Sequence, residues 1–214
     1  MRMRPKKHRE ERISAVEERF AVFDDENRLL PGETFGDGFQ KMYYEFGCGK
    51  GAFCCALAQR EPDAAVIAVE RVRDVLLMAM EKAAAADIPN LRFANFDLEH
   101  VTEIMPEHSA DAIFLNFSDP WPRKRHAKRR LTAPAFLERY KLLLKDGGRI
   151  YFKTDNAGLF EYSLETFAQC GYKVSNVCRD LHADEVLSAN NIETEYEKNF
   201  SAKGFKINYL EASL

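Results

Sequence analysis

Short apolar runs alternate with helical patterns along most of this chain, and this alternation constrains the fold more than any other feature of the sequence. Residues 42–46, 64–70, 91–97 and 111–117 predict four strands, and residues 149–153 predict a fifth. Buried strands that alternate with helices of about ten to fifteen residues are typical of a parallel sheet covered on both faces. We therefore predict an α/β fold with a doubly wound sheet.

Helices are predicted between these strands. Pro134 suits the first turn of one helix, which we expect to run to about Lys145 and to stop at Gly147 and Gly148. The other predicted elements are a helix that carries Phe53 and Leu57 and stops by Pro62, helices at 72–86 and 159–170, and weaker strands at 174–178 and 205–210. No repeat or linker interrupts the pattern, so we expect a single domain whose main body spans 36–214, with a basic arm and lead-in at 1–35 as part of the same domain.

Any affinity for nucleic acid has to come from a local cluster of positive charge and not from the total charge of the chain. The 214 residues carry a formal net charge of −3, so the chain as a whole is not a polycation. Its five cysteines include no Cys-x-x-Cys pair, which predicts neither a zinc site nor a disulfide framework. No apolar run approaches the ~18 residues of a membrane span, and residues 1–12 lack the apolar segment of a secretory signal. We expect a cytoplasmic protein without metal or membrane contact.

Acidic residues lie at the predicted carboxyl ends of four strands, the edge at which α/β sheets bind ligands. They are Glu45, Glu70, Asp97 and Asp119. Gly47, Gly49 and Gly51 follow the first strand and allow a tight turn with close approach of a ligand to the backbone. Glu70 lies about 20 residues beyond this turn, the distance at which an acid contacts ribose hydroxyls.

A glycine turn of this kind can bind either a nicotinamide dinucleotide or S-adenosylmethionine, and the charge of the nearby residues distinguishes the two. A carboxylate at Glu45 would repel the pyrophosphate of a dinucleotide. S-adenosylmethionine carries no phosphate and bears a sulfonium and an ammonium group, so nearby carboxylates favour it. Asp97 is placed to accept a hydrogen bond from the adenine amine or from a neighbouring polar group. We predict S-adenosyl-L-methionine as cofactor and S-adenosyl-L-homocysteine as product.

A stiff acidic loop and a basic run follow the fourth strand. Asp119 lies in the sequence Asn-Phe-Ser-Asp-Pro-Trp-Pro, in which two prolines restrict the backbone. Residues 123–130 then carry six permanent positive charges, a clustering that indicates phosphate binding. Two polar segments, 153–156 and 194–197, could contact a base, but their spacing is equally typical of helix caps.

These segments together resemble the bacterial tRNA (guanine-N7-)-methyltransferases. The likeness rests on residues 45–51, 116–131, 153–156, 159–163 and 194–197 and spans almost the whole chain. It implies a class I, Rossmann-like methyltransferase with a mostly parallel seven-stranded sheet, one strand of which is reversed. It also implies that the substrate is guanosine 46 in the variable loop of tRNA, and it allows a monomer or a homodimer.

The resemblance also implies roles for individual residues. The cofactor-binding residues would be Glu45, Gly47, Gly49, Glu70, Asp97 and Asp119, with Asp119 also at the catalytic position. The substrate-binding residues would be Arg123, Asp155, Thr194, Glu195, Tyr196 and Glu197. The RNA-binding residues would be Arg125, His126, Ala127, Lys128, Arg129 and Arg130. Arg123 departs from the family, which commonly has Lys at this position. The positive charge is kept, but a planar guanidinium replaces a compact ammonium.

Three other functions compete with this interpretation. A non-catalytic RNA-binding protein on a degenerate methyltransferase fold would not need acids at four strand ends. A nicotinamide-dependent oxidoreductase is disfavoured by Glu45 and by the lack of a hydride-transfer constellation. A methyltransferase acting on a protein or small molecule would leave the basic run without a purpose.

Overall fold

The computed structural model describes residues 8–21, 34–36 and 38–214. The chain forms two compact units, Met1–Pro106 and Glu107–Leu214, and the seven strands found among the described residues belong to one sheet. Residues 2, 4, 6 and 7 of the predicted basic arm lie outside the described part of the chain, and the predicted domain boundary stays a prediction. The helices that the structure describes include none long and apolar enough to cross a membrane.

The first unit contains three parallel strands in the order β3-β2-β1. Its elements in chain order are α1 (Arg9–Phe20), β1 (Lys41–Phe46), α2 (Ala52–Arg60), β2 (Ala64–Val69), α3 (Arg73–Ala85), β3 (Leu91–Ala94), a 3-10 turn (Leu98–His100) and α4 (Val101–Ile104). Every residue of β2 is buried, which explains its uninterrupted apolar sequence.

Helix α1 packs its apolar stripe inward through Ile13, Val16 and Phe20. The Arg12 guanidinium donates Nε to Glu81 Oε1 at 2.7 Å and Nη2 to Glu81 Oε2 at 2.6 Å, which ties α1 to α3. This two-point contact raises the pKa of Arg12 through the hydrogen bond with Glu81. One of the predicted basic arm's charges is therefore used within the unit.

The second unit contains four strands in the order β4-β5-β7-β6. Its elements are β4 (Ala110–Asn116), a 3-10 helix (Lys124–Arg129), α5 (Pro134–Leu143), β5 (Leu144–Thr154), α6 (Ala157–Gln169), β6 (Lys173–Cys178), a 3-10 turn (Leu181–Ala183), α7 (Glu185–Ala189), α8 (Glu195–Ser201) and β7 (Asn208–Ser213). Strands β4 and β5 are parallel, whereas β7 is antiparallel to both β5 and β6. The predicted reversed strand is confirmed.

Several predicted boundaries were wrong, among them the start of β5, which lies at Leu144 instead of residue 149. The helix that begins at Pro134 ends at Leu143, and Gly147 and Gly148 lie inside β5 instead of closing the helix. A Cβ on Gly148 would lie 2.8 Å from the Ala110 carbonyl oxygen, so this glycine is needed for the close approach of β5 to β4. Strand β3 ends at residue 94 rather than 97, and β7 spans 208–213 rather than 205–210.

Candidate active site

In the first unit, the glycine turn after β1 is fastened to the neighbouring strand. The amides of Gly47 and Cys48 both donate to the Val69 carbonyl at the end of β2, at 2.8 and 3.0 Å. Gly47, Gly49 and Gly51 all have positive φ, at 80°, 56° and 76°. These backbone conformations favour glycine, so the sequence Gly-x-Gly-x-Gly is required by the turn itself.

The space beside these glycines divides them into two groups. A Cβ added to Gly51 would lie 2.6 Å from the Cβ of Ala79, which shows that Gly51 allows α2 to pack against α3. A Cβ at Gly47 or Gly49 would meet nothing described within 4 Å. Gly47 and Gly49 therefore leave room beside the backbone, and Gly51 is a packing residue.

Two of the predicted cofactor acids lie against this turn. The Glu70 carboxylate follows β2 and accepts hydrogen bonds from the Gly49 amide at 3.2 Å and from the Val72 amide at 2.9 Å. Glu45 lies within β1 and is 2% exposed. Burial, the hydrogen bond with Cys48 and the negative charge of Glu45 raise the pKa of Cys54, so this thiol behind the turn stays protonated.

Asp97 takes a different position from the one expected. It lies three residues beyond β3 and is exposed. One of its oxygens accepts from the Glu99 amide at 3.1 Å and so caps the 3-10 turn, while the other lies 3.8 Å from Arg71 Nη1. Its exposed carboxylate nevertheless remains on the carboxyl side of the strand, as the sequence predicted.

In the second unit, the loop that carries Asp119 has a strained backbone, and hydrogen bonds from Arg130 of the basic run hold it in place. Phe117 and Trp121 have φ values of 51° and 40°, a region that bulky residues rarely adopt. Arg130 donates Nε to the Pro120 carbonyl at 2.9 Å and Nη2 to the Trp121 carbonyl at 3.1 Å. The loop is thereby fixed, while Asp119 itself is exposed.

Aromatic rings support the same arrangement. The Arg130 guanidinium lies 4.2 Å from the ring centroid of Tyr162, and that of Arg129 lies 5.0 Å from the ring of Trp121. Such cation–π contacts orient a guanidinium without removing its charge. Sequence reasoning assigned Arg130 to RNA and missed Tyr162, because a residue 32 positions away leaves no local signal in the sequence.

The rest of the basic run forms a 3-10 helix with its cations outward. Arg123, Lys124, Arg125, Lys128 and Arg129 are exposed, whereas His126, Ala127 and Arg130 are half-buried. The structure therefore places five permanent charges within seven residues on the surface directly after the Asp119 loop.

The polar segment at the end of β5 separates into buried and accessible residues. Lys153 and Thr154 are buried, and Asn156 caps α6 by accepting from the Leu159 amide at 2.8 Å. Asp155 is half-buried and accepts a hydrogen bond from the Tyr196 hydroxyl at 3.3 Å. Burial and the neighbouring Asp155 carboxylate raise the pKa of Tyr196, which keeps this hydroxyl a donor near neutral pH. Asp155 and Tyr196 thus belong to one surface.

The segment 194–197 forms the helix cap that its spacing allowed. Thr194 Oγ1 accepts from the Glu197 amide at 2.9 Å, and Glu197 Oε2 accepts from the Thr194 amide at 3.4 Å, which together make a capping box at the start of α8. Thr194 and Glu197 are buried, whereas Glu195 and Tyr196 are exposed. Only the latter two lie on the surface.

Glu197 also anchors the end of β5. Its Oε2 lies 2.7 Å from Lys153 Nζ, and its Oε1 accepts from Asn191 Nδ2 at 2.6 Å. Lys153 Nζ donates further to Asn191 Oδ1 at 2.9 Å and to the Ile192 carbonyl at 2.8 Å. We call Lys153, Asn191 and Glu197 the buried polar cluster; no local pattern in the sequence predicts that these residues meet.

One grouping of potential metal ligands occurs at this cluster in the part of the chain that the structure describes. One ligand atom each of His182, Glu193 and Glu197 lies within 4.8 Å of the others. His182 Nε2 is 3.2 Å from Glu197 Oε1 but forms no hydrogen bond with it. The Lys153 ammonium already supplies a positive charge to Glu197, so the cluster is explained as an ion pair.

Known proteins match most of the chain. A family model described as "Putative methyltransferase" matches residues 40–210. The tRNA (guanine-N(7)-)-methyltransferase of Brevibacillus brevis is 45% identical over 181 residues, which are 85% of this chain and 84% of the relative. The protein of the same name from Macrococcus caseolyticus is 47% identical over 176 residues, which are 82% of this chain and 83% of the relative.

Solved structures share the architecture. The 16S rRNA methyltransferase KamB superposes with a TM-score of 0.67 at 14% identity and covers 90% of this chain and 94% of its own. The antibiotic-resistance methyltransferase Kmr gives 0.61 at 18% identity, with coverages of 85% and 90%. At these identities the likeness concerns the fold alone.

The mostly parallel seven-stranded sheet and its methyltransferase neighbours define a class I S-adenosylmethionine-dependent methyltransferase fold. The fold class predicted from the sequence is confirmed. With relatives at 45–47% identity over more than four-fifths of its length, the chain belongs to the tRNA (guanine-N7-)-methyltransferase family. The predicted family membership is therefore confirmed as well.

Proposed function

We propose that this protein transfers the methyl group of S-adenosylmethionine to N7 of guanosine 46 in the variable loop of tRNA. The observation that carries this proposal is the attachment of the Asp119 loop to the basic run through Arg130. An acidic group for the reacting base and exposed cations for phosphate thus belong to one fixed segment. The names of the relatives support the tRNA substrate and the N7 position. The expected cytoplasmic location suits this substrate.

We assign the cofactor to the residues at the carboxyl ends of the strands: Glu45, Gly47, Gly49, Glu70, Asp97 and Asp119. In the first unit, the fit rests on the open space beside Gly49 and on the carboxylate of Glu70, which is held by two backbone amides. An oxygen that accepts one amide hydrogen bond retains a lone pair for a ribose hydroxyl. S-adenosylmethionine supplies the electrophilic methyl group and the positive charge that these acids favour.

The chemistry requires orientation and charge stabilisation instead of a general base. Guanine N7 presents a free lone pair, so no proton has to leave before attack. The purine gains positive charge as the methyl group arrives, and the carboxylate of Asp119 is proposed to stabilise that charge. Holding the base in line for displacement supplies much of the remaining rate.

On the substrate side, the exposed groups are proposed to contact RNA directly and the buried ones to position them. Arg123, Asp155, Glu195 and Tyr196 form the first group. Thr194 and Glu197, which the resemblance also places with the substrate, would act by fixing the start of α8. Of the predicted RNA-binding residues, Arg125, Lys128 and Arg129 are proposed to contact phosphate, next to His126 and Ala127, while Arg130 holds the Asp119 loop.

Incubation with unmodified tRNA and isotopically labelled S-adenosylmethionine tests the proposed function. We expect label in N7-methylguanosine after nucleoside digestion, and we expect it to be lost when guanosine 46 is replaced by adenosine in the transcript. Another labelled nucleoside, or label at another guanosine, would contradict the assigned position. Absence of transfer to any RNA, despite thermal stabilisation by S-adenosylmethionine, would favour a different substrate class.

Replacing Arg129 by glutamine is expected to weaken tRNA binding and its salt dependence together. Each lost phosphate contact should reduce the slope of log K against log salt concentration by about 0.7 to 0.9. Binding measured between roughly 50 and 200 mM salt checks the change. Lys173 is an exposed cation on β6 and provides the matched control, Lys173→Gln, whose slope should equal that of the wild type. Equal slopes for both variants would leave Arg129 as ordinary surface charge.

A further inference from the structure

Four aromatic rings form a row that begins beside the Asp119 loop. The ring centroid of Phe117 lies 5.0 Å from that of Tyr196, which stacks on Phe200 at 4.0 Å with an interplanar angle of 14°. Phe205 continues the row at 5.3 Å from Phe200. All four residues belong to the second unit. We call Phe117, Tyr196, Phe200 and Phe205 the aromatic row.

Two rings of the aromatic row are exposed, on either side of the half-buried ring of Phe200. Phe205 is 51% exposed and Tyr196 is 41% exposed. Aromatic area exposed to water costs hydrophobic free energy, and exposed rings that belong to one row of ring contacts mark a contact surface. Phe205 lies in the loop before β7, so the sheet does not require an aromatic residue there.

Exposed lysines lie among the rings of the aromatic row, beside the acids Asp155 and Asp180. Lys198, Lys203 and Lys206 are exposed and alternate with the rings along the chain. The ammonium of Lys203 lies 5.2 Å from the ring centroid of Phe200, and that of Lys206 pairs with Asp180 at 3.2 Å. Aromatic faces interleaved with lysines are the combination that binds unpaired nucleic acid, since bases stack on the rings and phosphates contact the cations.

We propose that the aromatic row binds an unpaired nucleotide that flanks the methylated guanosine, with its base stacked on Phe205. This inference rests on the proposed function. An enzyme that modifies a base within folded RNA has to withdraw that base from its stack, and the neighbouring base then loses a stacking partner. The aromatic row leads from Phe117, two residues before Asp119, to the exposed ring of Phe205, and so connects the reacting loop with a surface on which that base can stack.

Replacing Phe205 by leucine or by tryptophan tests the stacking. Leucine keeps an apolar side chain but removes the aromatic face, whereas tryptophan keeps the face. We expect Phe205→Leu to raise the Kd for tRNA about 5- to 150-fold, the range that corresponds to the loss of one base–aromatic stack. Phe205→Trp should stay within about threefold of the wild type. Leu142 is an apolar side chain 44% exposed on α5, and Leu142→Ala is the matched control.

Three results would overturn the proposal. Unchanged tRNA affinity of Phe205→Leu, with melting temperatures equal to the wild type, would exclude stacking at this position. Equal losses for the leucine and tryptophan variants would indicate a packing role. A change of oligomeric state in Phe205→Leu, measured by light scattering, would make the row a subunit contact. Wild-type production of N7-methylguanosine, measured in parallel, distinguishes these results from failure of the proposed function itself.

Discussion

Replacement of Asp119 by asparagine should lower turnover about 100- to 1,000-fold, the usual cost of removing one group that stabilises charge in the transition state. Asparagine has the same shape as aspartate but carries no charge. Because the loop is held by Arg130 through the carbonyls of Pro120 and Trp121, we expect its conformation to survive the replacement. Single-turnover methylation with saturating tRNA measures the chemical step directly.

The affinity for tRNA shows whether Asp119 stabilises charge in the transition state or binds the substrate. Asp119→Asn should leave the Kd for tRNA within about threefold, since an acidic side chain contributes nothing to phosphate contact. Asp146 is an exposed carboxylate of the same unit, on β5, and Asp146→Asn should match the wild type in both turnover and affinity. Activity of Asp119→Asn within a few-fold of the wild type would refute the electrostatic assignment. A rate that rises steeply through pH 7 would instead indicate a general base.

The sheet could be predicted from the sequence because its signals are local. A fully buried strand such as β2 has to be apolar throughout, and a glycine turn with positive φ excludes most other residues. The same locality explains the boundary errors. Gly147 and Gly148 look like a helix stop, yet the close approach of Gly148 to Ala110 in the neighbouring strand decides their place.

The candidate site could be predicted only in part, because its division into accessible and supporting residues depends on contacts distant in sequence. Lys153 and Glu197 are 44 positions apart, and Arg130 meets Tyr162 across 32 positions. The sequence left open whether 194–197 caps a helix or contacts a base, and the structure shows the cap. The role of each single residue could therefore be assigned only once the fold showed which residues are buried and which are accessible.

The buried polar cluster leads to the largest stability effect that we expect. Replacing Lys153 by methionine keeps the volume of the side chain but removes an ammonium that donates to Glu197, Asn191 and the Ile192 carbonyl. Glu197 is fully buried and would be left without the ammonium that pairs with it. Breaking one side of a buried pair costs about 3 to 5 kcal/mol, so we expect the free energy of unfolding to fall by about that amount.

Urea unfolding with a double-mutant cycle checks this effect against a pair on the surface. Lys145 and Asp111 form an ion pair of 2.6 Å with side chains 38% and 30% exposed, whereas those of Lys153 and Glu197 are 4% and 0% exposed. Lys145→Met should therefore cost at most about 1 kcal/mol. Lys153→Met combined with Glu197→Leu should be more stable than Lys153→Met alone, because the second replacement removes the uncompensated charge. An equal loss of unfolding free energy in Lys145→Met and Lys153→Met would show that burial does not strengthen the ion pair of Lys153 with Glu197. The capping box would then be the contact that holds the start of α8.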